Sequence, residues 1–137
     1  MALVETPAAS NANSYLSVAD AVALAGDDLG PEAAGWLAAS APDRERALIR
    51  ATREIDGYLR SGYPRHAATQ ALLFPRSIDV VDGAPVIPRD IELATYQQAI
   101  YVLANARVLA AANTRRARGM ESASEPSTSY SLGEEAV

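Results

Sequence analysis

The 137-residue chain contains no cysteine and no lysine, and it has a single histidine, His66. The absence of cysteine excludes disulfide bonds and thiolate metal sites, and one histidine leaves too few ligands for a zinc site. No apolar run reaches the roughly 18 residues of a membrane-spanning helix, and the N-terminus lacks the basic and apolar regions of a signal peptide. We therefore expect a protein that is made and used in a cytoplasm, or in a particle assembled there.

The sequence also lacks the usual motifs of catalysis and phosphate binding. No serine lies in a nucleophile elbow, the glycines occur singly, and the adjacent acids Asp27 and Asp28 do not have calcium-loop spacing. His66 is interpreted as an ordinary loop residue, and a hydrolase that uses it is the weakest alternative. We expect no enzymatic activity, no cofactor and no metal.

Large core residues are scarce. The chain has one Trp, one Phe and six Tyr, and alanine supplies much of the apolar share of 49 %. Alanine favours helix but buries little area per residue. We expect one small domain of thin, closely packed helices, which gains stability from neighbouring copies.

Four segments carry helix signals. Ser17 and Ser40 are each followed three residues later by an aspartate, which is a capping pattern, and Pro31 and Pro88 suit first helical turns. The second segment has Trp36 and Leu37 as its apolar anchors. The predicted helices run from Ser17 to about Ala25, from Pro31 to about Ala39, from about Ala41 to Arg60, and from Pro88 to Asn113 or further.

The fourth predicted helix is apolar on most sides, which predicts burial on most sides. It is either the centre of the bundle, or it packs on its own domain with one face and on a second copy with the other. Before it lies a loop from Ser61 to Ile87 that carries Phe74 and other large apolar residues. Because long loops in compact domains are usually functional or disordered, this apolar content predicts a docked loop. A short hairpin about Asp82-Gly83 is expected, although Pro85 weakens it.

From Gly119 the composition shifts to Ser, Glu, Thr, Pro and Gly, which alone cannot bury enough area to order the chain. The predicted fold class is all-α: a small bundle of about four helices with a long ordered loop, which can hold a short β-hairpin, and an extended C-terminal tail. Residues 1–118 would form the helical domain and 119–137 a flexible C-terminal arm. Tyr130 and Leu132 are either anchors for a partner or part of a disordered terminus.

Arginines form a narrow stripe on the third predicted helix. Arg46, Arg50, Arg53 and Arg60 follow at offsets of four, three and seven residues. The functional interpretation is a ridge that binds acidic groups or phosphates, because guanidinium groups make planar, bidentate contacts with both. The alternative is a solvated face, laced by ion pairs with acids of the same helix. The net charge of −5 argues against nucleic-acid binding by the whole surface, but it allows a local basic stripe.

Further interface candidates lie outside the stripe. Arg115 and Arg116 are near the end of the fourth predicted helix, where cations favour the helix dipole. Tyr96 and Tyr101 lie on its apolar part and indicate core or interface rather than base stacking. The full set of candidates beyond the stripe is Phe74, Arg76, Tyr96, Tyr101, Arg115, Arg116, Tyr130 and Leu132.

Several short motifs follow one another in a fixed order over roughly residues 9–112. They are Asn11-Ala12-Asn13-Ser14-Tyr15-Leu16-Ser17 with Ala19-Asp20; Trp36; Ala47-Leu48-Ile49-Arg50-Ala51-Thr52 with Ile55-Asp56; Gln70 with Leu72-Leu73-Phe74-Pro75-Arg76; Asp82-Gly83; and Ile87-Pro88 with Ile91. The ordered set resembles a family of small tailed-phage proteins, the head–tail connectors or adaptors of siphovirus-like and related phages. Some proteins of this kind carry the label of a DnaT-like single-strand-binding protein.

The resemblance implies a structural protein of the virion neck, without a membrane partner. Such a protein forms a ring, usually a dodecamer, beneath the portal protein, extends the DNA channel and docks the stopper or tail-completion protein. DNA would pass through the lumen without sequence-specific binding, and the arm 119–137 would grip the portal or a neighbouring copy. The alternative function is a DnaT-like replication accessory that binds single-stranded DNA, with the arginine stripe on the phosphates.

Overall fold

The computed structural model describes residues 2–59 and 62–123. The chain divides into two units, Met1–Ala104 and Asn105–Val137. The fold is mainly helical, as predicted, with a single small antiparallel sheet among the described residues. In chain order the elements are α1 (Val18–Gly26), α2 (Pro31–Ala38), α3 (Ala41–Tyr58), β1 (Val80–Val81), β2 (Ala84–Pro85) and α4 (Arg89–Ala123).

Local capping chemistry sets the starts of α1 and α3. The Ser17 hydroxyl accepts a hydrogen bond from the Asp20 amide at 3.0 Å, and Ser40 accepts one from the Asp43 amide at 3.2 Å. These bonds satisfy amides that have no partner within the helix, so both predicted N-caps are confirmed. Pro88 lies one residue before α4 rather than inside it, and its carbonyl accepts from the Ile91 and Glu92 amides.

The C-terminal end of α2 is capped by a side chain of α3. Arg44 donates from Nε to the Trp36 carbonyl at 2.9 Å and from its terminal guanidinium to the Leu37 carbonyl at 2.6 Å. The Leu37 carbonyl, which the short helix cannot satisfy internally, is thereby paired, and the Trp36 carbonyl, which also accepts from the Ala39 amide at 3.1 Å, gains a second donor. Leu37 itself is exposed, so Trp36 is the apolar anchor of α2 and the expectation for Leu37 was wrong.

Helix α3 ends at Tyr58, two residues before the predicted end at Arg60. Leu59 has extended dihedral angles, φ −90° and ψ 153°, and its side chain packs against the cluster formed by the following loop. Tertiary packing therefore stops the helix before the glycine and proline signals are reached. Arg60 lies outside the described residues.

Two clusters of buried side chains hold the first unit together. The main cluster joins α1 to α4 and is rich in alanine, which agrees with the expected close packing of thin helices. Trp36 lies within it at 0 % exposure. The loop cluster consists of Tyr15, Ile55, Phe74 and Ile87. The main cluster consists of Leu16, Ala21, Ala25, Ala33, Trp36, Ala39, Ala47, Leu48, Ala51, Tyr96, Ala99, Ile100 and Leu103.

The loop before α4 is docked, as its apolar content predicts. Phe74 meets Tyr15 edge to face, with ring centroids 5.9 Å apart and planes at 76°. The Tyr15 hydroxyl donates to Asp56 of α3 and accepts from the Phe74 amide at 3.2 Å, while the Leu73 amide donates to the other Asp56 oxygen at 3.1 Å. Burial, and then the hydrogen bond to Asp56, raises the pKa of Tyr15 above its usual range, so the phenol stays a neutral donor.

The same loop also organises itself. The buried side chain of Gln70 donates to the Leu72 and Pro75 carbonyls at 2.8 and 2.9 Å and accepts from the Ala67 amide at 2.9 Å. Further along, Asp82 and Gly83 both have positive φ, 52° and 80°, as the central residues of a type I′ turn require. The predicted hairpin is present, and Pro85 pairs with Val80 within it.

Helix α4 has one buried face within the first unit. Thr95, Tyr96, Ala99, Ile100 and Leu103 are buried, whereas Leu93 and Tyr101 are exposed. Within the first unit α4 is therefore not buried on most sides, because one face packs in the main cluster and the other is open to solvent. Among the described residues, no helix is long and apolar enough to cross a membrane.

Candidate nucleic-acid interface

The arginines of α3 are placed on its outer face by the residues of its inner face. Ala47, Leu48, Ala51 and Thr52 are buried at helical spacing against the main cluster. Positions three and four residues apart share a helix face, so the opposite face presents Arg46, Arg50 and Arg53 to solvent. The predicted stripe is thus present for these three arginines; Arg60 lies outside the described residues.

The three arginines border an open groove of about 460 Å³ on the surface of α3. The groove combines guanidinium groups with the aliphatic surface of Ile49 and the ring of Pro42. Aliphatic surface of this kind can support the long stems of arginine while the charged heads stay in water. We call this surface the arginine groove; its lining residues are Pro42, Glu45, Arg46, Ile49, Arg50 and Arg53.

Two of the three arginines carry acidic partners. Arg46 lies 3.1 Å from Asp43, and Arg50 lies 3.0 Å from Glu54. Within the described part of the chain, Arg53 has no hydrogen bond or ion pair. Exposed helical ion pairs contribute little to stability, so a phosphate can replace Asp43 on Arg46 at small cost. Arg53 needs no such exchange, because its guanidinium is already open to a ligand.

Glu54 is tied to a second helix. Its Oε1 accepts a hydrogen bond from Nε2 of Gln98 on α4 at 2.7 Å, while its Oε2 accepts from Arg50. The hydrogen bond from Gln98 is the main cause of the lowered pKa of the Glu54 carboxyl. Partial burial acts in the opposite direction and raises this pKa, and the interaction with Arg50 lowers it further. Glu54 is consequently an anchored carboxylate beside the groove. Sequence reasoning missed this contact, because 44 residues separate its two partners.

Arg76, another predicted interface residue, has an internal role. Its backbone amide and guanidinium donate to Asp79 at 2.7 to 3.0 Å, and its guanidinium lies 5.3 Å from the Phe74 ring centroid and 5.5 Å from that of Tyr63. The hydrogen bond from the Arg76 side chain lowers the pKa of Asp79. Arg76 therefore stabilises the loop, and it does not line the arginine groove.

The remaining candidates are dispersed. Phe74 and Tyr96 are buried; the Tyr96 hydroxyl donates to Asp28 at 2.7 Å, so both rings support the fold rather than line a surface. Tyr101 is exposed on α4, and Arg115 is exposed in the second unit. The Arg116 side chain, Tyr130 and Leu132 lie outside the described residues.

No other chemistry competes with the arginine groove in the parts of the chain that the structure describes. No group of three or more His, Asp or Glu side chains is placed to hold a metal ion there. His66 is exposed in the loop, and its backbone amide donates to the Pro75 carbonyl at 3.0 Å. The arginine groove can bind anions through its guanidinium groups.

A protein-family model described as "Putative DnaT-like ssDNA binding protein" matches residues 1–135. The chain belongs to this family. The match covers nearly the whole sequence and agrees with the label that the ordered motifs suggested; it contains no reference to a head–tail connector. No curated protein and no solved structure matches the chain significantly.

Proposed function

We propose that the protein binds single-stranded DNA through the arginine groove of α3. The observation that carries this proposal is an exposed row of three arginines, with Arg53 unpaired among the described residues, beside aliphatic surface on one helix face. Membership of a family described as DnaT-like ssDNA-binding proteins supports it. The net charge of −5 allows a local basic site of this kind, because exposed charges are screened beyond about 10 Å.

The spacing of the arginines suits a nucleic-acid backbone. From Arg46 to Arg53 α3 rises about 10 Å at 1.5 Å per residue, and each of the three guanidinium groups can pair with one phosphate. The groove can therefore face about three phosphates. No aromatic side chain lines the groove, so we expect contacts to phosphates rather than bases and little sequence preference.

A titration of labelled oligonucleotides, followed by fluorescence anisotropy over a series of salt concentrations, tests this function. Neutralising about three phosphates predicts that log K falls with log salt with a slope of about −2 for a single strand. Arg53→Ala should weaken binding and reduce the magnitude of this slope by about 0.7.

Arg89→Ala is the matched control. Arg89 is an exposed arginine at the start of α4, paired with Glu92 at 3.2 Å, and it does not line the groove. Both variants lose one positive charge, so an equal effect of the two would show that the groove is not the site. Absence of binding by the unaltered protein at low salt would refute the function itself.

A second function, a structural head–tail connector, is favoured by exposed apolar side chains. Within the first unit several of these lie on the hairpin region and on the outer face of α4, where Leu93 and Tyr101 are found. Exposed apolar surface of this kind is typical of protein interaction sites. The exposed residues of the hairpin region are Ile78, Val80, Val81 and Val86.

The distribution of charge also favours contacts between copies. Residues 1–42 contain five acidic residues and no basic one, whereas three arginines line the arginine groove. Opposite charges on two different surfaces suit head-to-tail contacts, which close into rings. The proposal comprises a ring, of twelve copies by resemblance, in the virion neck, with a portal protein on one side and a stopper or tail protein on the other. The five acidic residues are Glu5, Asp20, Asp27, Asp28 and Glu32.

Mixing the purified protein with the portal protein of its phage, followed by sedimentation, separates the two functions. A connector forms a ring or a portal complex at micromolar concentration and binds oligonucleotides weakly at physiological salt. A DNA-binding accessory shows the reverse. A monomer that binds neither the portal protein nor an oligonucleotide would refute both proposals.

A further inference from the structure

The arginine groove has an acidic residue of its own chain at one edge, and this residue is held more firmly than an ordinary surface acid. Glu54 contacts Arg50 with one carboxylate oxygen and Gln98 with the other, at 3.0 and 2.7 Å. The first contact lies within α3 and the second crosses to α4. The carboxylate is therefore fixed by two helices that the main cluster packs together.

A comparison with Asp43 shows what this anchoring changes. Asp43 pairs with Arg46 at 3.1 Å, its side chain is 48 % exposed, and no second side chain binds it within the described residues. The Glu54 side chain is 29 % exposed, so it loses less rotamer freedom when it pairs with Arg50. A phosphate can displace Asp43 by a simple side-chain rotation. To bind Arg50, a phosphate must separate the guanidinium from the Glu54 carboxylate, which stays in place.

We infer that Glu54, positioned by Gln98, competes with nucleic-acid phosphates for Arg50 and so limits the affinity of the arginine groove. This inference rests on the proposed DNA-binding function. Arg53, which is unpaired among the described residues, makes the first phosphate contact. Arg50 contacts a phosphate only when that phosphate displaces Glu54 from its guanidinium. Glu54 thus lowers the affinity of the arginine groove for its proposed ligand, a phosphodiester backbone.

The test is Glu54→Gln in the same anisotropy titration. Glutamine keeps the size of the side chain and an oxygen that can accept from Gln98, but it releases the charge on Arg50. Removing an exposed ion pair of this kind should tighten oligonucleotide binding about two- to fivefold. In an Arg50→Ala background the same substitution should tighten binding much less, because the contested guanidinium is gone.

Glu92→Gln is the matched control. It removes one negative charge and one ion pair with an arginine three residues away, outside the groove. If Glu54→Gln and Glu92→Gln tighten binding equally, net charge alone acts and the inference is overturned, while the proposed function stands. Absence of binding by every variant at low salt overturns the inference together with the proposed function.

Gln98→Met tests the positioning residue without any change of charge. Methionine has a similar length but cannot donate to Glu54, so the carboxylate is freed to swing aside. We expect a smaller tightening than for Glu54→Gln, and no effect of Gln98→Met when Glu54 is already Gln. An unchanged affinity in the otherwise unaltered protein, or an equal effect in both backgrounds, would overturn the role of Gln98. Unfolding midpoints of all variants establish that folded proteins are compared.

Discussion

At the scale of single residues, Phe74 shows how one side chain fixes the loop before α4. It is buried, it meets Tyr15 edge to face, and its amide donates to the Tyr15 hydroxyl. The apolar character of Phe74 predicts that it docks the loop onto the rest of the fold. Its contact partners could not be predicted. Tyr15 and Phe74 are 59 residues apart, and no local pattern connects them.

Phe74→Ala should destabilise the protein by about 3–5 kcal/mol, since it removes a buried ring and leaves a cavity. Urea denaturation followed by far-ultraviolet circular dichroism measures the change. Tyr101→Ala, at an exposed aromatic position on α4, is the comparison and should cost much less. A loss below about 1 kcal/mol for Phe74→Ala would mean that the loop is peripheral to the fold.

Asp79 links loop stability to pH. The hydrogen bonds from Arg76 lower the pKa of Asp79 below its ordinary value of 3.8. Because the folded-state pKa is the lower one, the stabilisation is fully present above the unfolded pKa and is lost as pH falls through the folded pKa. Asp79→Asn should cost about 1–3 kcal/mol at pH 7, and the difference from the unaltered protein should shrink in strong acid.

Denaturation curves at neutral and acidic pH measure the effect. Asp82→Asn is a suitable comparison: Asp82 is an exposed carboxylate with positive φ in the hairpin turn, and asparagine tolerates that conformation. It should change stability by less than about 0.5 kcal/mol at both pH values. A cost for Asp79→Asn that does not vary with pH would show that the charge of Asp79 is irrelevant.

At the scale of elements, the starts of helices and the hairpin turn were predictable, and the ends were not. Ser17, Ser40 and the Asp82-Gly83 pair act on their nearest neighbours, so the sequence alone contains the relevant signals. The end of α3 depends on where Leu59 packs, and the end of α2 depends on Arg44 of another helix. These are tertiary effects, which local spacing does not record.

The candidate site divides in the same way. The row Arg46, Arg50 and Arg53 was predictable, because helical spacing places these residues together once α3 is assigned. Arg60 lies outside the described residues, so its place in the row stays a prediction. The hydrogen bond from Gln98 to Glu54 could not be predicted from helical spacing, because it depends on how α3 and α4 cross.

The hairpin turn offers a test in which only the backbone changes. Gly83 has φ of +80°, and a Cβ added there meets no heavy atom within 4 Å. Gly83→Ala should therefore cost about 1–2 kcal/mol through left-handed strain alone. Gly26 ends α1, and it too leaves an added Cβ without contacts within 4 Å. Gly26→Ala should instead stabilise the protein by about 0.4–1 kcal/mol.

Thermal denaturation of the two variants checks the pair, because their shifts in midpoint should have opposite signs. Equal shifts in the same direction would mean that the turn is not held in the described conformation. The comparison also shows how strongly the hairpin is coupled to the rest of the first unit. A turn that opens independently of the core would leave the midpoint of Gly83→Ala unchanged.

At the scale of the whole molecule, the buried residues of the described chain lie between Ala12 and Leu103. Deleting residues 119–137 should therefore leave the free energy of unfolding unchanged within about 0.5 kcal/mol. Denaturation curves of the shortened chain check this, and loss of soluble folded protein would place the segment within the domain. If the protein is a connector, the same deletion should weaken its attachment to the particle.

Trp36 gives the molecule an optical property that follows from its place in the main cluster. It is the chain's only tryptophan, it is 0 % exposed, and its indole nitrogen has no hydrogen-bond partner within the described structure. An indole shielded from water emits at shorter wavelength than one in solvent. The colour of its intrinsic emission should consequently shift to the red as α1, α2 and α3 separate, so the protein reports the opening of its own interior without an attached dye.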